Sequence, residues 1–176
     1  IKGSDTLVIL SQKWAELYMK KNPSTVIQVT GGGSGVGLAA LINGSTDIAN
    51  SSRPIKPAEL EKIKTKYKKS GIEIACAKDG LSIFLNKANG VNELSIQQLG
   101  DIFSGKITNW KEVGGADAKI QLYGRESSSG TFEFFKEHVV KTDFSPTCQT
   151  LPGTAAIVNA VKKDKYSIGY GGAAYA

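Results

Sequence analysis

Three glycine-rich turns that carry hydroxyl side chains constrain this chain more than any other feature of its sequence. They lie at residues 3–6 (GSDT), 31–37 (GGGSGVG) and 124–131 (GRESSSGT), and each precedes a segment with helical periodicity. A helix N-terminus presents unsatisfied N–H groups and about half a positive charge, and glycine lets an anion approach that backbone. If the three helix starts converge, they form a cage for an oxyanion.

Short apolar segments of strand character alternate with amphipathic helical segments along the chain. The predicted strands are 26–30, 47–51, 72–77, 81–86, 119–123 and 167–170, and the predicted helices are 7–22, 34–42, 57–70, 96–103, 129–140 and 154–163. This alternation predicts an α/β fold with one or two parallel sheets. Ligands of such sheets bind beyond the carboxyl ends of the strands, which is where the three turns fall.

Length, charge and hydropathy narrow the class of protein. The chain has 176 residues, enough for one large domain or two small lobes, and a net charge of +6 that favours anions without naming one. No apolar run is long enough to cross a membrane. The sequence also does not open with a signal-peptide pattern, so we expect that any signal peptide has already been removed. The lysine-rich segment 62–69 lacks interleaved aromatic residues, and we interpret it as a solvated helix face that binds no nucleic acid.

Several enzyme motifs are absent. The glycines of residues 31–37 do not satisfy the dinucleotide spacing, and no P-loop lysine, nucleophile elbow or Ser-x-x-Lys pair is present. The single histidine, His138, falls late in a predicted helix, where a surface position is favoured over catalysis. Cys76 and Cys148 have no metal-ligand spacing, and the strand-like surroundings of Cys76 predict that it is buried, although an exported protein would permit a disulfide. We therefore predict no metal, no cofactor and no enzyme activity.

The combination of motifs resembles the phosphate-binding proteins of bacterial phosphate ABC transporters. The resemblance is carried by the turns above, by DIANSSRPI at residues 47–55, by Asp79-Gly80 and by DIFSGKITNW at residues 101–110, in the family's own order. It implies a two-lobed periplasmic-binding-protein type II fold with a hinge and with phosphate in the cleft between the lobes. We assign residues 1–78 and 167–176 to lobe one and residues 79–166 to lobe two.

The resemblance also implies a function and a location. The implied function is capture of inorganic phosphate and its delivery to permease subunits of an ABC transporter at the membrane. The implied location is the periplasm or the outer face of the cytoplasmic membrane, with a lipid anchor as an option, and the implied state is a monomer. Open alternatives are a binding protein for sulfate or molybdate, a phosphate-ester enzyme, or a signalling or adhesion module that kept the fold.

Carried over by position, the anion contacts fall on hydroxyl groups, backbone amides and arginines. The predicted phosphate-binding residues are Ser4, Thr6, Leu7, Ser34, Ser52, Arg53, Asp79, Arg125, Ser129, Gly130 and Thr131. Ser34 and Ser129 fit helix N-caps that also donate to an oxygen, and Arg125 offers a planar fork for two oxygens.

Two departures from the family pattern shape these expectations. Ser52 stands where some members have an aspartate that accepts the phosphate proton, so we predict that Asp79 accepts it instead, with a plain hinge-turn role as the alternative for Asp79. The chain also stops after the segment 168–172, whereas family members continue with elements that return to the first lobe. The predicted first lobe is correspondingly short.

Overall fold

The computed structural model describes residues 1–176 and divides them into two compact units. The first unit contains Ile1–Asp79 together with Ser128–Gly130, and the second contains Gly80–Ser127 and Thr131–Ala176. None of the helices combines the length and the apolar character that crossing a bilayer requires.

The first unit is built on a small parallel sheet. Strand β1 (Lys2–Gly3) pairs in parallel with β2 (Ala49–Asn50), and an isolated bridge joins Lys2 to Thr30 on the other side. Backbone bonds from Gly3 N–H to the Thr30 carbonyl and from Ser4 N–H to the Asn50 carbonyl extend this pairing. The predicted strand at 26–30 is therefore reduced to a single bridge, and the predicted strand at 47–51 to two residues.

Three helices complete the first unit. They are α1 (Val8–Lys21), preceded by a 3₁₀ turn at Asp5–Leu7, α2 (Ser34–Asn43) and α3 (Pro57–Tyr67). Helix α2 lies directly against β1, because a Cβ at Gly37 would fall 2.4 Å from the Lys2 carbonyl oxygen. The Tyr67 hydroxyl at the end of α3 donates to the Leu41 carbonyl near the end of α2. Close packing at a glycine and one tyrosine hydrogen bond thus set the positions of α2 and α3.

The large apolar stripe of α1 does not face the interior. Trp14 and Leu17 are 44% and 59% exposed, whereas the buried residues of the helix are the small Ser11 and Ala15. The sequence pattern places the helix correctly, but small residues allow a closer approach to the sheet and decide which face is inside.

The predicted strand at 72–77 is not formed. Ile72 and Ile74 are 90% and 77% exposed, and residues 69–80 adopt no regular structure. Helix α3 ends earlier than predicted, at Tyr67, and its C-cap Lys68 takes a left-handed conformation with φ of 55°. The prediction that Cys76 is buried is wrong, because the segment that carries it has no sheet partner and leaves the thiol exposed.

The second unit is built on a four-stranded mixed sheet. Its strands are β3 (Leu81–Leu85), β4 (Gln121–Arg125), β5 (Gln149–Leu151) and β6 (Ser167–Gly172), in the order β3-β6-β4-β5. Strand β6 is antiparallel to β3 and parallel to β4, and β4 is parallel to β5. The prediction of a parallel sheet is confirmed for the pairs β6–β4 and β4–β5. It is wrong for β3, which pairs with β6 in the antiparallel direction.

Three further helices cover this sheet. They are α4 (Ile96–Ser104), α5 (Gly130–Phe135), which continues into a π-helical turn at Lys136–Val140, and α6 (Gly153–Lys163). Helix α4 begins with a capping box, in which Gln98 N–H donates to Ser95 Oγ and Ser95 N–H donates to the Gln98 side chain. The core includes Ile102, Phe103, Trp110, Phe135, Ile168 and Tyr170, which are fully buried.

The last strand corrects the predicted division of the chain. Residues 167–176 were assigned to the first lobe, but β6 is hydrogen-bonded on both sides within the second unit. The Ala173 N–H also donates to the Gly80 carbonyl, which ties the end of the chain to the start of β3. Residues 167–176 therefore belong to the second unit, and the first unit ends at Asp79 before the second begins at Gly80.

The two cysteines differ in exposure, which predicts different reactivity. Both are free, Cys76 is exposed, and burial raises the pKa of Cys148 to about 11. At pH 8 a thiol with that pKa is ionised to only about one part in a thousand, and the thiolate is the reactive form. We expect a maleimide to label Cys76 at least about a hundredfold faster than Cys148 in the folded protein. Mass spectrometry of the labelled peptides measures both rates, and equal rates would contradict the structure.

Candidate functional site

Three serine hydroxyls from distant parts of the sequence meet in the first unit. Ser4 Oγ donates to Ser52 Oγ at 3.0 Å, and the Ser34 and Ser52 Oγ atoms lie 3.2 Å apart. The Ser52 N–H also donates to Ser34 Oγ at 3.1 Å. We call Ser4, Ser34 and Ser52 the hydroxyl cluster.

Each member of the hydroxyl cluster is placed by a strand end or a helix start. Ser4 follows β1 and Ser52 lies two residues beyond β2, and parallel strands end at the same edge of a sheet. Ser34 is the first residue of α2, after Gly33, which has a φ of 93° that favours glycine. The N-cap of α2 is Gly33, and Ser34 Oγ accepts from the Ser52 N–H, so the prediction that Ser34 is an N-cap is wrong.

The third glycine-rich turn packs directly on the hydroxyl cluster. A Cβ at Gly130 would lie 2.6 Å from both Ser34 Oγ and Ser52 Oγ, so only glycine brings its backbone this close. The Gly35 N–H donates to the Ser128 carbonyl at 2.9 Å, and Ser128 Oγ donates to the Gly32 carbonyl at 3.3 Å. The structure thus brings parts of all three turns together. Such convergence is the condition that the sequence analysis set for an oxyanion cage.

The hydroxyl cluster can act as a neutral donor group. Its three hydroxyl protons serve two Oγ···Oγ contacts, so one O–H group can donate to a bound anion. Ser129, which directly precedes α5, is 1% exposed and lies beside Gly130 in the sequence. A buried hydroxyl next to a helix start is a favourable donor for an oxyanion.

The first turn contributes fewer backbone donors than the sequence suggested. The Leu7 N–H donates to the Ser4 carbonyl at 3.1 Å, so an anion contact at Leu7 would have to share or replace this bond. Asp5 Oδ1 accepts from the Gly32 N–H at 3.1 Å and thereby links the first and second turns. Thr6, the remaining predicted residue of this turn, lies partly buried in the 3₁₀ turn.

Arg53 is engaged by a carboxylate within the first unit. Its guanidinium donates to Glu59 Oε1 and Oε2 at 2.8 and 2.9 Å, and also to the Pro54 carbonyl. The hydrogen bond from Arg53, reinforced by the Lys56 N–H and opposed by burial, holds the pKa of Glu59 below its usual value. The second cation predicted at Arg53 is therefore neutralised by a partner that the sequence analysis missed.

The spacing of Pro57 and Glu59 in the sequence could have predicted where the Glu59 carboxylate lies. Pro57 occupies the first position of α3 and Glu59 the third, where a glutamate commonly accepts from the backbone before the helix. That pattern fixes the carboxylate beside residue 56, three residues from Arg53. The bidentate pairing itself depends on the fold of residues 53–56.

Arg125 is the buried cation of the second unit. Its side chain is 1% exposed, and its Nε and Nη2 donate to Glu126 Oε2 and Oε1 at 3.0 and 2.8 Å. Its Nη1 donates to Thr154 Oγ1 at 3.1 Å. Since Glu126 occupies the Nε–Nη2 edge, a bidentate contact to an anion can be made only through the Nη1–Nη2 edge.

Glu126 stays ionised beside Arg125. Burial is the largest influence on its pKa and would raise it, but hydrogen bonds from Arg125 and from backbone N–H groups outweigh burial and lower the pKa. One of those N–H groups belongs to Gly153 at the start of α6, 3.4 Å from Oε2. The predicted ligand set contains neither Glu126 nor Thr154, the two side chains that contact the Arg125 guanidinium here.

The two remaining predicted residues lie in different settings. Asp79 is exposed at the end of the first unit, and Thr131 is buried near the start of α5 in the second unit. Neither belongs to the hydroxyl cluster as defined above.

The α/β fold and the gathering of hydroxyl groups at the ends of parallel strands are features of one class of protein. This class is the periplasmic-binding proteins of type II. A family model described as a PBP superfamily domain matches residues 1–176, and the chain belongs to this family.

Curated relatives share the sequence over nearly the whole chain. The phosphate-binding protein PstS of Pseudomonas aeruginosa is 36% identical over 98% of this chain and 58% of its own length. PstS of Staphylococcus epidermidis is 39% identical over 97% of this chain and 53% of its own length. The chain thus spans little more than half the length of these relatives.

Solved structures are also similar. A protein of Clostridium perfringens, described as a phosphate ABC transporter substrate-binding protein with bound phosphate, has a TM-score of 0.90 and 31% identity over 99% of this chain and 70% of its own. An ABC-type phosphate transport receptor of Vibrio cholerae has a TM-score of 0.70 and 30% identity over 99% of this chain and 71% of its own.

The Arg53–Glu59 pair predicts a pH-dependent contribution to stability. Because the folded-state pKa of Glu59 is lowered, the pair stabilises the fold above the unfolded pKa near 4.5, and this stabilisation is lost as the pH falls through the folded value. We expect Glu59→Gln to lower the melting temperature at pH 7 by about 2 to 6 °C, a cost of roughly 1 to 2 kcal/mol. The difference should shrink on acidification to pH 3. Melting curves by circular dichroism test this, and a difference that is constant from pH 3 to 7 would contradict it.

Proposed function

We propose that this chain binds inorganic phosphate as part of a solute-binding protein of a phosphate ABC transporter. The observation that carries the proposal is the hydroxyl cluster with the Gly130 backbone packed on it. Such a group offers O–H and N–H donors without a net charge of its own, which suits a small tetrahedral anion stripped of water.

The proposed ligand set extends the hydroxyl cluster by neighbouring donors. It consists of the cluster, Thr6, Leu7, Arg53, Asp79, Arg125, Ser129, Gly130 and Thr131. Arg125 supplies the principal positive charge through its Nη1–Nη2 edge, while Arg53 has a secondary role because Glu59 holds its guanidinium. Gly130 and Thr131 supply backbone N–H groups at the start of α5.

The transport role rests on the relatives. Curated relatives are named phosphate-binding proteins, and a similar solved structure is described as a substrate-binding protein of a phosphate ABC transporter with bound phosphate. By extension, this chain captures phosphate in the periplasm or at the outer face of the cytoplasmic membrane and delivers it to the permease subunits. It acts as a monomeric binding protein without a cofactor and carries out no chemical reaction.

Isothermal titration with phosphate and with sulfate tests the ligand assignment. We expect saturable phosphate binding and at least about tenfold weaker sulfate binding. A carboxylate accepts a hydrogen bond from protonated phosphate, whereas it repels sulfate, which has no proton to donate. Preferential binding of sulfate or molybdate would overturn phosphate as the ligand while keeping an oxyanion site. Release of phosphate from a model ester would instead indicate an enzyme.

Arg125 is expected to dominate the affinity for phosphate. Removing one partner of a buried charge pair costs about 2 to 5 kcal/mol, and each 1.4 kcal/mol or so is tenfold in affinity. We expect Arg125→Ala to weaken phosphate binding by at least about thirtyfold, and Arg125→Lys to restore only part because the planar fork is lost. Lys111→Ala, which removes an exposed cation of the second unit, is the matched control. A near-normal titration for Arg125→Ala would remove Arg125 from the ligand set.

Asp79 is proposed to discriminate phosphate from sulfate. An ionised carboxylate accepts the proton that phosphate keeps near neutral pH, and sulfate has no proton to donate. We expect Asp79→Asn to narrow the preference for phosphate by at least about tenfold, because a neutral amide neither repels sulfate nor forms a charge-assisted hydrogen bond with the phosphate proton. Competition titrations of both anions measure the preference.

The same titrations on Asp5→Asn provide the comparison. Asp5 adjoins Ser4 and contacts the second turn. A preference altered by Asp5→Asn but not by Asp79→Asn would move the acceptor to Asp5 and return Asp79 to a turn role.

A further inference from the structure

We infer that Thr154 is a positioning residue that fixes the orientation of the Arg125 guanidinium for anion binding. The inference deepens the proposed function and rests on it. Thr154 lies outside the predicted ligand set and 29 residues from Arg125 in the sequence.

The geometry gives Thr154 a role that Glu126 cannot fill alone. Both contacts of Glu126 fall on the Nε–Nη2 edge, so they hold the guanidinium along that edge. The Thr154 contact falls on Nη1, away from that edge, at 3.1 Å. Three contacts that do not lie on one line fix a plane, and so they fix the direction of the Nη1–Nη2 edge.

Thr154 is itself held more firmly than Glu126. It is 1% exposed, whereas the Glu126 side chain is 25% exposed. Thr154 lies in the first turn of α6 and packs against Gly171 of β6, where a Cβ would lie 2.3 Å from Thr154 Cγ2 and 2.9 Å from Oγ1. The absence of a side chain at Gly171 therefore leaves room for the Thr154 rotamer that accepts from Arg125.

The need of the buried Arg125 Nη1 donor for an acceptor also supports a positioning role for Thr154. Nη1 is a donor on a buried cation, and a buried donor without an acceptor is costly. Thr154 Oγ1 accepts from it as a neutral group, so this contact adds no negative charge beside the guanidinium. A third carboxylate-type contact would hold the guanidinium equally well but would weaken its attraction for the ligand.

Phosphate titration of Thr154→Val is the central test. The substitution keeps the shape of the side chain and removes the acceptor, and we expect phosphate affinity to fall by about five- to tenfold. Thr154→Ser keeps Oγ and should bind within about twofold of the unmodified chain. Val161→Ala, a buried change on the same helix, should lower the melting temperature while leaving phosphate affinity unchanged.

A double-mutant cycle separates positioning from general damage. In the Arg125→Ala background, Thr154→Val should cause no further loss of phosphate affinity, because the group that it positions is gone. Gly171→Ala, which crowds Thr154 from β6, should mimic Thr154→Val. An undiminished effect of Thr154→Val without Arg125 would overturn the inference, as would normal affinity of Thr154→Val. Failure of the unmodified chain to bind phosphate would instead overturn the proposed function.

Discussion

The parallel pairing of β1 with β2 is the constraint on which the candidate site depends. Because the two strands run in the same direction, Ser4 and Ser52 emerge at the same edge, and their hydroxyls meet at 3.0 Å. An antiparallel pair would send them to opposite edges. The sheet is very small, so backbone bonds to Thr30 and the close approach of α2 at Gly37 are needed to hold its register.

Charge compensation explains how so many polar groups are buried. Each of the two buried arginines has a carboxylate in bidentate contact, Glu59 for Arg53 and Glu126 for Arg125. Burying an unpaired cation is far costlier than burying a hydrogen-bonded pair. The two carboxylates therefore give both guanidinium groups hydrogen-bonded counter-charges within the fold.

The second unit supplies a rigid frame for Arg125. Tyr170 of β6 is fully buried, stacks on Phe135 with ring centroids 4.0 Å apart, and accepts from the Arg125 N–H at 3.3 Å. Burial raises the pKa of the Tyr170 hydroxyl well above its usual value, so it stays a neutral partner. The core of the unit thus reaches the backbone of Arg125, while Thr154 and Glu126 hold its side chain.

The sequence by itself determined the α/β class, most helix positions and the three turns, because glycine spacing, capping residues and apolar periodicity are local signals. The α4 capping box is such a local feature, because it joins residues three positions apart. Tertiary structure decided the rest. Only packing set which face of α1 is inside, left residues 72–77 without a sheet partner, and placed β6 between β3 and β4 in the second unit. Only the folded chain brings Thr154 to Arg125, because a contact across 29 residues of sequence has no local pattern that could announce it.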